Sequence, residues 1–346
     1  MNEIKSNNPE NLFREISKNA PIIDRFGRTF NYLRIAVNEV CNLRCIYCMP
    51  EEGIKFKSKD KILSKEEVFR ILQITTEMGV SKIRFTGGEP LLRKDILDLI
   101  KFANNIPTVN SIHLTTNGLL LSEMLEKLED SGLSGVNISL DTLNSEKYKI
   151  ISRRDELENV LKALRKAIDH KILKIKINVV AMRDFNETEL EDFVDLTKHD
   201  NITVRFIELM PFDSHQIWET GKFYKAEKII LDLKKRFKNL SVVKGSSTEH
   251  FIFRVKGYKG KVAIIPSYTR SLCGQCNRIR ITADGNLLNC LYSQNEVNLL
   301  SSLRSDKSDS YLKNIIRDTM FKKFKDGWKA NKKGLDQRGS MTQIGG

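Results

Sequence analysis

Six short runs rich in β-branched residues alternate with helical segments in this chain of 346 residues. Between residues 32 and 210 these runs are, in order, YLRIAVN, SKIRFTGG, SIHLTTN, GVNISLD, KIKINVVAM and ITVRFIELM. Such alternation predicts an α/β fold whose parallel strands are joined by right-handed crossovers. Six strands are too few for a complete eight-stranded barrel, which leaves an open sheet or a partial (β/α)6 TIM-like barrel.

The clearest helical segment spans residues 64–79. Ser64 and Glu67 form a capping-box pattern at its start, and Gly79 offers a stop. A second helical pattern, YKAEKIILDLKKRFKNL, follows residue 223, and strands and turns dominate after it. We therefore predict a domain boundary near residue 240.

Three parts are expected along the chain. Residues 1–23 are an N-terminal extension for which we infer no function. Residues 24–240 form a barrel domain, and residues 241–346 form a smaller C-terminal α+β module.

No apolar run approaches the roughly 18 residues that span a bilayer. The N-terminus mixes both charge signs and has no apolar segment of the secretory type. We expect a cytoplasmic protein.

The formal net charge is +14, with a sequence pI near 9.4. A basic surface of this kind is compatible with nucleic-acid binding, but the lysines are spread along the chain and a solvated surface explains them equally well. A positive field would also attract a small polyanion such as a nucleoside triphosphate. Charge alone does not separate these interpretations.

Small polar residues follow the predicted strands. Ligands of parallel α/β proteins bind at the carboxyl ends of the strands, so the recurrence of such residues favours a ligand site there. In chain order they are Thr86, Gly87, Gly88, Thr115, Thr116, Asn117, Ser139, Leu140, Asp141, Asn178, Glu208, Leu209 and Met210.

All six cysteines fall into two groups of three, and the first group lies in CNLRCIYCMP, directly after the first predicted strand. Its members are Cys41, Cys45 and Cys48. Disulfides are rare in a reducing cytosol, and thiolates this close favour zinc, copper(I) or an iron-sulfur cluster. Structural zinc needs a fourth ligand, and the nearest histidine, His113, is on another strand. A cubane cluster can use three thiolates and leave one iron open to a small molecule.

The second group has the spacing C-x-x-C-x13-C and comprises Cys273, Cys276 and Cys290. Taken alone, it could be a zinc site completed by His250. Arg278 and Arg280 follow within two positions of each other, so an extended backbone would project both guanidinium groups from one face. Paired guanidinium groups suit phosphate oxygens.

The first cysteine motif, combined with TGGEP after the second strand, closely resembles the radical S-adenosylmethionine (SAM) superfamily. The resemblance implies that Cys41, Cys45 and Cys48 bind a 4Fe-4S cluster whose unique iron is chelated by SAM. It also implies that the turn containing Gly88 meets the methionine end of SAM. Lacking a Cβ, a glycine lets the backbone approach a ligand closely.

The whole pattern resembles the GTP 3',8-cyclase family, which begins molybdenum cofactor biosynthesis. The matching motifs are CNLRCIYCMP, KIRFTGGEPLLR, TTNGLLL, NISLDTLN, KIKINVVAMRDFN, RFIELMPF and CNRIRITADGNLLNCL. The resemblance implies a partial six-repeat barrel closed by an auxiliary 4Fe-4S cluster domain, with GTP between the two clusters. The 5'-deoxyadenosyl radical would take the ribose C3' hydrogen, and the C3' radical would add to guanine C8.

Individual roles follow from the same resemblance. Cys273, Cys276 and Cys290 would hold the second cluster, whose open iron would meet the substrate. The SAM contacts would be Tyr47, Gly88, Ser139 and Met210. The GTP contacts would be Arg34, Arg84, Thr115, Lys176, Arg278, Ile279 and Arg280. The catalytic set would be Arg278, Arg280, Gly345 and Gly346.

The resemblance to this family also implies partners for the protein. The resemblance implies an electron donor of the flavodoxin or ferredoxin type, cyclic pyranopterin monophosphate synthase as the next enzyme, and either a monomer or a homodimer. No nucleic-acid or membrane partner is expected.

Two alternative functions stay open. One is a radical SAM peptide-modifying enzyme, which would carry more C-terminal cysteines, and the other is a zinc nucleic-acid-binding protein. One departure is that Asn38 and Glu39 replace the more common Thr and Asp before the first cysteine.

The tail ends in Gly345 and Gly346, a diglycine that the family inserts into its active site. We predict that Gly346→Ala impairs turnover but keeps both clusters, because a Cβ would collide in a crowded pocket. Turnover and iron content of the purified variant test this. Unchanged turnover would contradict it.

Overall fold

The computed structural model describes residues 20–170, 173–210, 221–244, 251–269, 273–293, 296–305, 307–330 and 340–345. Its strands are β1 (Tyr32–Ala36), β2 (Lys82–Thr86), β3 (Ser111–Thr116), β4 (Gly135–Ser139), β5 (Lys174–Ala181), β6 (Thr203–Glu208), β7 (Leu240–Val242), β8 (Phe251–Val255), β9 (Lys261–Ile265), β10 (Arg278–Ile281), β11 (Asn286–Leu288) and β12 (Glu296–Asn298). Its α-helices are α1 (Lys65–Glu77), α2 (Ile96–Asn104), α3 (Leu121–Asp130), α4 (Ser145–Ser152), α5 (Leu157–His170), α6 (Leu190–Asp195), α7 (Ala226–Arg236), α8 (Leu299–Arg304), α9 (Asp309–Phe321) and α10 (Gly327–Ala330).

One twelve-stranded sheet organises the fold, in the order β12-β11-β10-β1-β2-β3-β4-β5-β6-β9-β8-β7. The six predicted strands are its central, all-parallel part, which confirms the α/β fold class. Strands from the C-terminal part extend both sides, with β10 parallel to β1 and β9 parallel to β6. The outermost strands add by antiparallel pairing. In the described chain the sheet is open, ending at β12 and β7.

Side chains alternate between two environments along the parallel strands. In β1, Leu33 and Ile35 are fully buried in the core between the sheet and the helices. Tyr32 and Arg34, one position away, face a cavity on the other side of the sheet. Successive strand residues point to opposite faces, so one strand serves both the core and the cavity.

The predicted helices are present. Helix α1 starts with a complete capping box, in which the Ser64 hydroxyl accepts from the Glu67 N–H at 3.2 Å and the Glu67 carboxylate accepts from the Ser64 N–H at 2.8 Å. Gly79 follows its end with a φ of +94°, a conformation that glycine adopts readily. Helix α7 falls within the second predicted segment. No helix among the described residues is both long and apolar enough to cross a bilayer.

We expect Ser64→Ala to lower the free energy of unfolding by about 1 kcal/mol, because the first turn of α1 loses a side-chain acceptor. Urea unfolding of the wild type and the variant in the same cluster-loaded state measures this. Ser145→Ala, at the exposed first residue of α4, is the matched control and should be near neutral. Equal losses in the two variants would argue against the capping explanation.

Candidate active site

One cavity of about 360 Å3 lies along the face of the sheet that points away from the helical core and reaches the carboxyl ends of the parallel strands. Most of the residues predicted for the site line it, and both cysteine groups open into it. They are Arg34, Cys41, Cys45, Tyr47, Cys48, Arg84, Gly88, Thr115, Ser139, Lys176, Met210, Cys273, Cys276, Arg278, Arg280 and Cys290. Ile279 differs, because its side chain is fully buried in the core and leaves only backbone for a substrate contact.

The first cysteine loop is tied to the C-terminal end of α4. The N–H groups of Arg44 and Ile46 donate to the carbonyls of Ser152 and Ile151 at 3.1 and 2.9 Å. The Arg153 guanidinium donates to the carbonyl oxygens of Arg44 and Met49 at 3.0 and 2.9 Å. These bonds hold the loop on both sides of Cys45 and Cys48.

The chemistry of these thiols fits a cluster. Burial raises the pKa of Cys41, raises that of Cys45 well above its usual value, and raises that of Cys48 to about 12. Thiolates in such a dry site need a bound cation to offset their charge. Among the described residues, no three His, Cys, Asp or Glu side chains converge tightly enough for a single metal ion. A cubane differs because each thiolate binds a different iron.

The GGEP turn packs on the cysteine loop. A Cβ on Gly88 would lie 2.3 Å from the Val40 carbonyl oxygen, and one on Gly87 would lie 2.4 Å from that of Asn38. Both glycines are therefore required by the approach of two backbone segments, a reason additional to the ligand contact expected from sequence. The Asn38 amide, at the position that departs from the family pattern, donates to the Glu89 carbonyl at 2.9 Å.

Glu89 is a fully buried carboxylate behind this turn. It accepts from the N–H groups of Leu91 and Asn117, at 3.0 and 2.7 Å, and from the Thr116 hydroxyl at 2.8 Å. Burial raises its pKa to about 7, against the effect of these donors. The Asn117 amide donates to Asn42 Oδ1 at 2.7 Å and lies 3.8 Å from Cys41 Sγ. Glu89 thus connects β3 to the cysteine loop.

Tyr47 is held by a second buried carboxylate. Its hydroxyl donates to Asp141 Oδ2 at 2.7 Å, and the Val180 N–H donates to Asp141 Oδ1 at 2.7 Å. Burial raises the pKa of Asp141 to about 6. The arrangement fixes the tyrosine between Cys45 and Cys48 against the ends of β4 and β5.

Cationic side chains gather on the same side of the sheet, away from the core. Their crowding is visible at Arg34, whose pKa is lowered well below its usual value by burial and then by Arg280 and Arg84. Burial and then Arg278 lower the pKa of Arg280 to about 10. Arg34 Nε and Arg280 Nη1 are buried and make no hydrogen bond to the described residues. Such groups are costly without an anionic partner, so this part of the cavity is suited to phosphate oxygens.

The second cysteine group adjoins these cations. Burial opposes ionisation of Cys276, but Lys323, Arg278 and Arg280 outweigh it and lower its pKa to about 7. The Arg28 guanidinium donates to the Cys273 carbonyl at 2.7 Å and pairs with Asp24 at 2.6 Å. The Gly327 N–H donates to Cys273 Sγ at 3.2 Å. His250, the alternative zinc ligand, lies outside the described residues.

The C-terminal segment reaches the cavity. The Met341 N–H and the Ser340 hydroxyl donate to the Cys48 carbonyl at 3.0 and 2.8 Å. The Thr86 hydroxyl donates to the Gly345 carbonyl at 3.0 Å, and a Cβ on Gly345 would lie 3.0 Å from the Ala36 Cβ. Gly345 also has a φ of +76°, in the left-handed region. Gly346 lies outside the described residues.

Several lining residues were not predicted from the sequence. They are Tyr32, Lys82, Arg205 and Lys323, with Asp141 and Glu208 noted only as strand-end residues. Strict two-residue alternation from Arg84 would have identified Lys82, and from Arg34 it would have identified Tyr32. Lys323 follows helix α9 and has no comparable signal in the sequence.

Fold and site together are those of a radical SAM protein with a second cysteine module. The Radical SAM superfamily model matches residues 35–197, and the Molybdenum Cofactor Synthesis C model matches residues 202–328. A Chlorobaculum tepidum GTP 3',8-cyclase is 43% identical over 96% of this chain and 99% of its own. Molybdenum cofactor biosynthesis protein 1 of Dictyostelium discoideum is 43% identical over 87% of this chain and 48% of its own.

Solved structures agree on the fold. The crystal structure of Streptococcus suis SuiB has a TM-score of 0.61 at 16% identity and covers 93% of this chain and 74% of its own. The native anSMEcpe with bound AdoMet has a TM-score of 0.55 at 14% identity, covering 81% of this chain and 82% of its own. These similarities concern the fold alone. The sequence matches carry the assignment further: the chain belongs to the GTP 3',8-cyclase family of radical SAM enzymes, which acts in molybdenum cofactor biosynthesis.

We expect Glu89→Gln to lower the free energy of unfolding by about 1–3 kcal/mol. The side-chain NH2 of glutamine replaces a carboxylate oxygen and cannot accept the hydrogen bond from a backbone N–H, which leaves a buried donor without a partner. Urea unfolding at neutral pH measures the loss. Glu123→Gln, on the exposed side of α3, is the matched control and should show no change. If Glu89→Gln unfolds at the same urea concentration as the wild type, the three hydrogen bonds to Glu89 contribute little to the free energy of unfolding.

Proposed function

We propose that this chain converts GTP to (8S)-3',8-cyclo-7,8-dihydroguanosine 5'-triphosphate, the first step of molybdenum cofactor biosynthesis. The observation that carries the proposal is a single cavity lined by two groups of three thiols and by a dense set of cations. A substrate with a triphosphate and a coordinating base satisfies both kinds of group at once. Cys41, Cys45 and Cys48 would hold a 4Fe-4S cluster that would supply the electron for cleavage of SAM, and the radical so formed would take the ribose C3' hydrogen.

The chain's own groups have distinct tasks in this proposal. Cys41, Cys45 and Cys48 hold the first cluster and leave one iron for SAM. Cys273, Cys276 and Cys290 hold a second 4Fe-4S cluster and leave one iron for the guanine. The support for the second cluster is that its three thiols open into the same cavity as the first group, beside the cations of β10.

SAM is held on the side of the cavity nearer the first cysteine group. Tyr47, fixed by Asp141, and Gly88, pressed against Val40, are positioned before any ligand arrives. Ser139 and Met210 line the same cavity at the ends of β4 and β6. Rigid supports of this kind reduce the ordering that binding would otherwise cost.

GTP is bound by the cationic side. Arg34, Arg84, Lys176, Arg278 and Arg280 contact its phosphates. Thr115 supplies a neutral contact, and Ile279 contributes only backbone. Arg278 and Arg280 also act catalytically by holding GTP against the second cluster. Gly345, packed against Ala36 and Thr86, contributes from the tail, and the catalytic role of Gly346 stays a prediction from sequence. The sheet backbone fixes the guanidinium groups of β1, β2 and β10 in register, Arg34 being opposite both Arg84 and Arg280. Phosphate oxygens would relieve the mutual repulsion of these groups.

The remaining partners follow from the reaction. It consumes electrons, so a carrier of the flavodoxin or ferredoxin type delivers them, and cyclic pyranopterin monophosphate synthase takes the product. A cytoplasmic location, the choice between monomer and homodimer, and the domain boundary near residue 240 stay predictions from sequence.

A peptide-modifying radical SAM enzyme is the second candidate, because a structure of SuiB, which shares this fold, is described as bound to a precursor peptide. Such enzymes carry more cysteines in the C-terminal module than the three of this chain. The cation-lined side of the cavity would also have no task in a reaction on a neutral peptide.

We expect protein purified without oxygen to be brown and to contain about eight irons per chain as two four-iron clusters. It should form 5'-deoxyadenosine from SAM only when GTP is present. Iron analysis and chromatography of the reaction mixture measure both. Cys290→Ser should retain about four irons, and Cys48→Ser is its matched counterpart at the first site.

Three outcomes would contradict this function. Colourless protein that contains zinc would exclude the clusters. SAM cleavage indifferent to GTP would separate the radical chemistry from this substrate. A peptide that replaces GTP in the assay would favour the second candidate.

A further inference from the structure

The charge of the cavity lining is strongly one-sided. Among the residues that the structure describes, eight cationic side chains line it: Arg34, Lys82, Arg84, Lys176, Arg205, Arg278, Arg280 and Lys323. They come from β1, β2, β5, β6, β10 and the segment after α9. Five of the six elements are strands of one sheet, so these cations cannot separate without breaking it. The described lining is therefore strongly cationic, and such a lining favours a polyanionic ligand.

The carboxylates that line the cavity are already engaged in hydrogen bonds and are not available to a metal ion. Among the described residues that line the cavity they are Asp141 and Glu208. Both oxygens of Asp141 accept hydrogen bonds, from the Tyr47 hydroxyl and the Val180 N–H, each at 2.7 Å.

Glu208 is occupied in the same way. Its Oε1 accepts from the Ala226 N–H at 2.7 Å. Its Oε2 accepts from the N–H groups of Tyr268 and Thr269 at 2.9 and 2.8 Å. Turning either carboxylate toward a metal ion would leave buried backbone donors without acceptors, which is costly.

Magnesium requires the opposite environment. Proteins that bind a nucleotide with Mg2+ hold the ion through one or two carboxylates or hydroxyls together with the phosphates, and the ion keeps several waters. Here a hydrated Mg2+ on the triphosphate would enter a cavity crowded with like charges. It would also cancel two of the negative charges that the arginines and lysines need, and its waters would displace guanidinium contacts.

We propose that the site takes GTP as the magnesium-free polyanion, with the cationic side chains of the sheet in place of the metal ion at the triphosphate. The inference rests on the proposed function for the identity of the nucleotide. It specifies the ionic form in which the nucleotide binds. Free GTP is the ligand, and the Mg2+ complex of GTP binds poorly.

Titration calorimetry on the cluster-loaded protein, without oxygen and at constant ionic strength, tests this. GTP is titrated after removal of divalent ions by EDTA, and again at Mg2+ concentrations that complex known fractions of the nucleotide. When nine tenths of the GTP is complexed, the apparent Kd should rise about tenfold, because only the free fraction is competent. GMP, which binds Mg2+ weakly, is the control and should bind equally with and without the ion.

A variant tests the physical cause. Lys82→Gln removes one cation from β2 and should raise the Kd of free GTP more than that of GMP, because the lost charge acts on the triphosphate. Equal changes in the Kd values of GTP and GMP, or no change in either, would overturn the assigned cause.

The outcomes separate this inference from the function on which it rests. Equal or tighter binding of GTP with Mg2+ would overturn the inference while the proposed substrate stands. Absence of GTP binding at every Mg2+ concentration would overturn the proposed function, and the inference with it.

Discussion

The two-residue alternation of the parallel strands is the constraint on which both the core and the site depend. In β1, β2 and β10 every second residue is an isoleucine, leucine or phenylalanine buried against the helices. The alternate positions include Arg34, Arg84, Arg278 and Arg280, which face the cavity. A shift of one strand by one residue would put arginines into the core and apolar residues into the cavity. The core thus fixes the register that brings the arginines together.

Electrostatics explain why such a cavity needs its ligands. Burial raises the pKa values of Cys45 and Cys48 in the first thiol group, while burial and then repulsion from Arg280 and Arg84 lower the pKa of Arg34. Both kinds of group are held in an environment that disfavours their charged forms. A cluster at the thiols and a polyanion at the arginines would supply the missing opposite charges. The stability given up in placing these groups is recovered as binding free energy.

Much of this could be predicted from the sequence, because periodicity and short motifs are local. The six central strands, the capping box at Ser64 and both cysteine groups are patterns within a few residues. Contacts between distant segments left no such pattern. Lys323 reaches the cavity from beyond α9, and Arg28 holds the Cys273 carbonyl from 245 positions away. Ile279 was included with its arginine neighbours, whereas the pleat turns it into the core.

The C-terminal part does more than add a second module, since it completes the sheet on which the first is built. Strand β10 pairs in parallel with β1, so Arg278 and Arg280 lie opposite Tyr32 and Arg34 in a continuous hydrogen-bonded register. The second cysteine group brackets this strand, with Cys276 two residues before Arg278. The distance between the two thiol groups is thereby set by strand pairing and not by a flexible linker. Radical chemistry between two bound molecules requires such fixed separation, because a small misplacement of reacting atoms costs much of the rate.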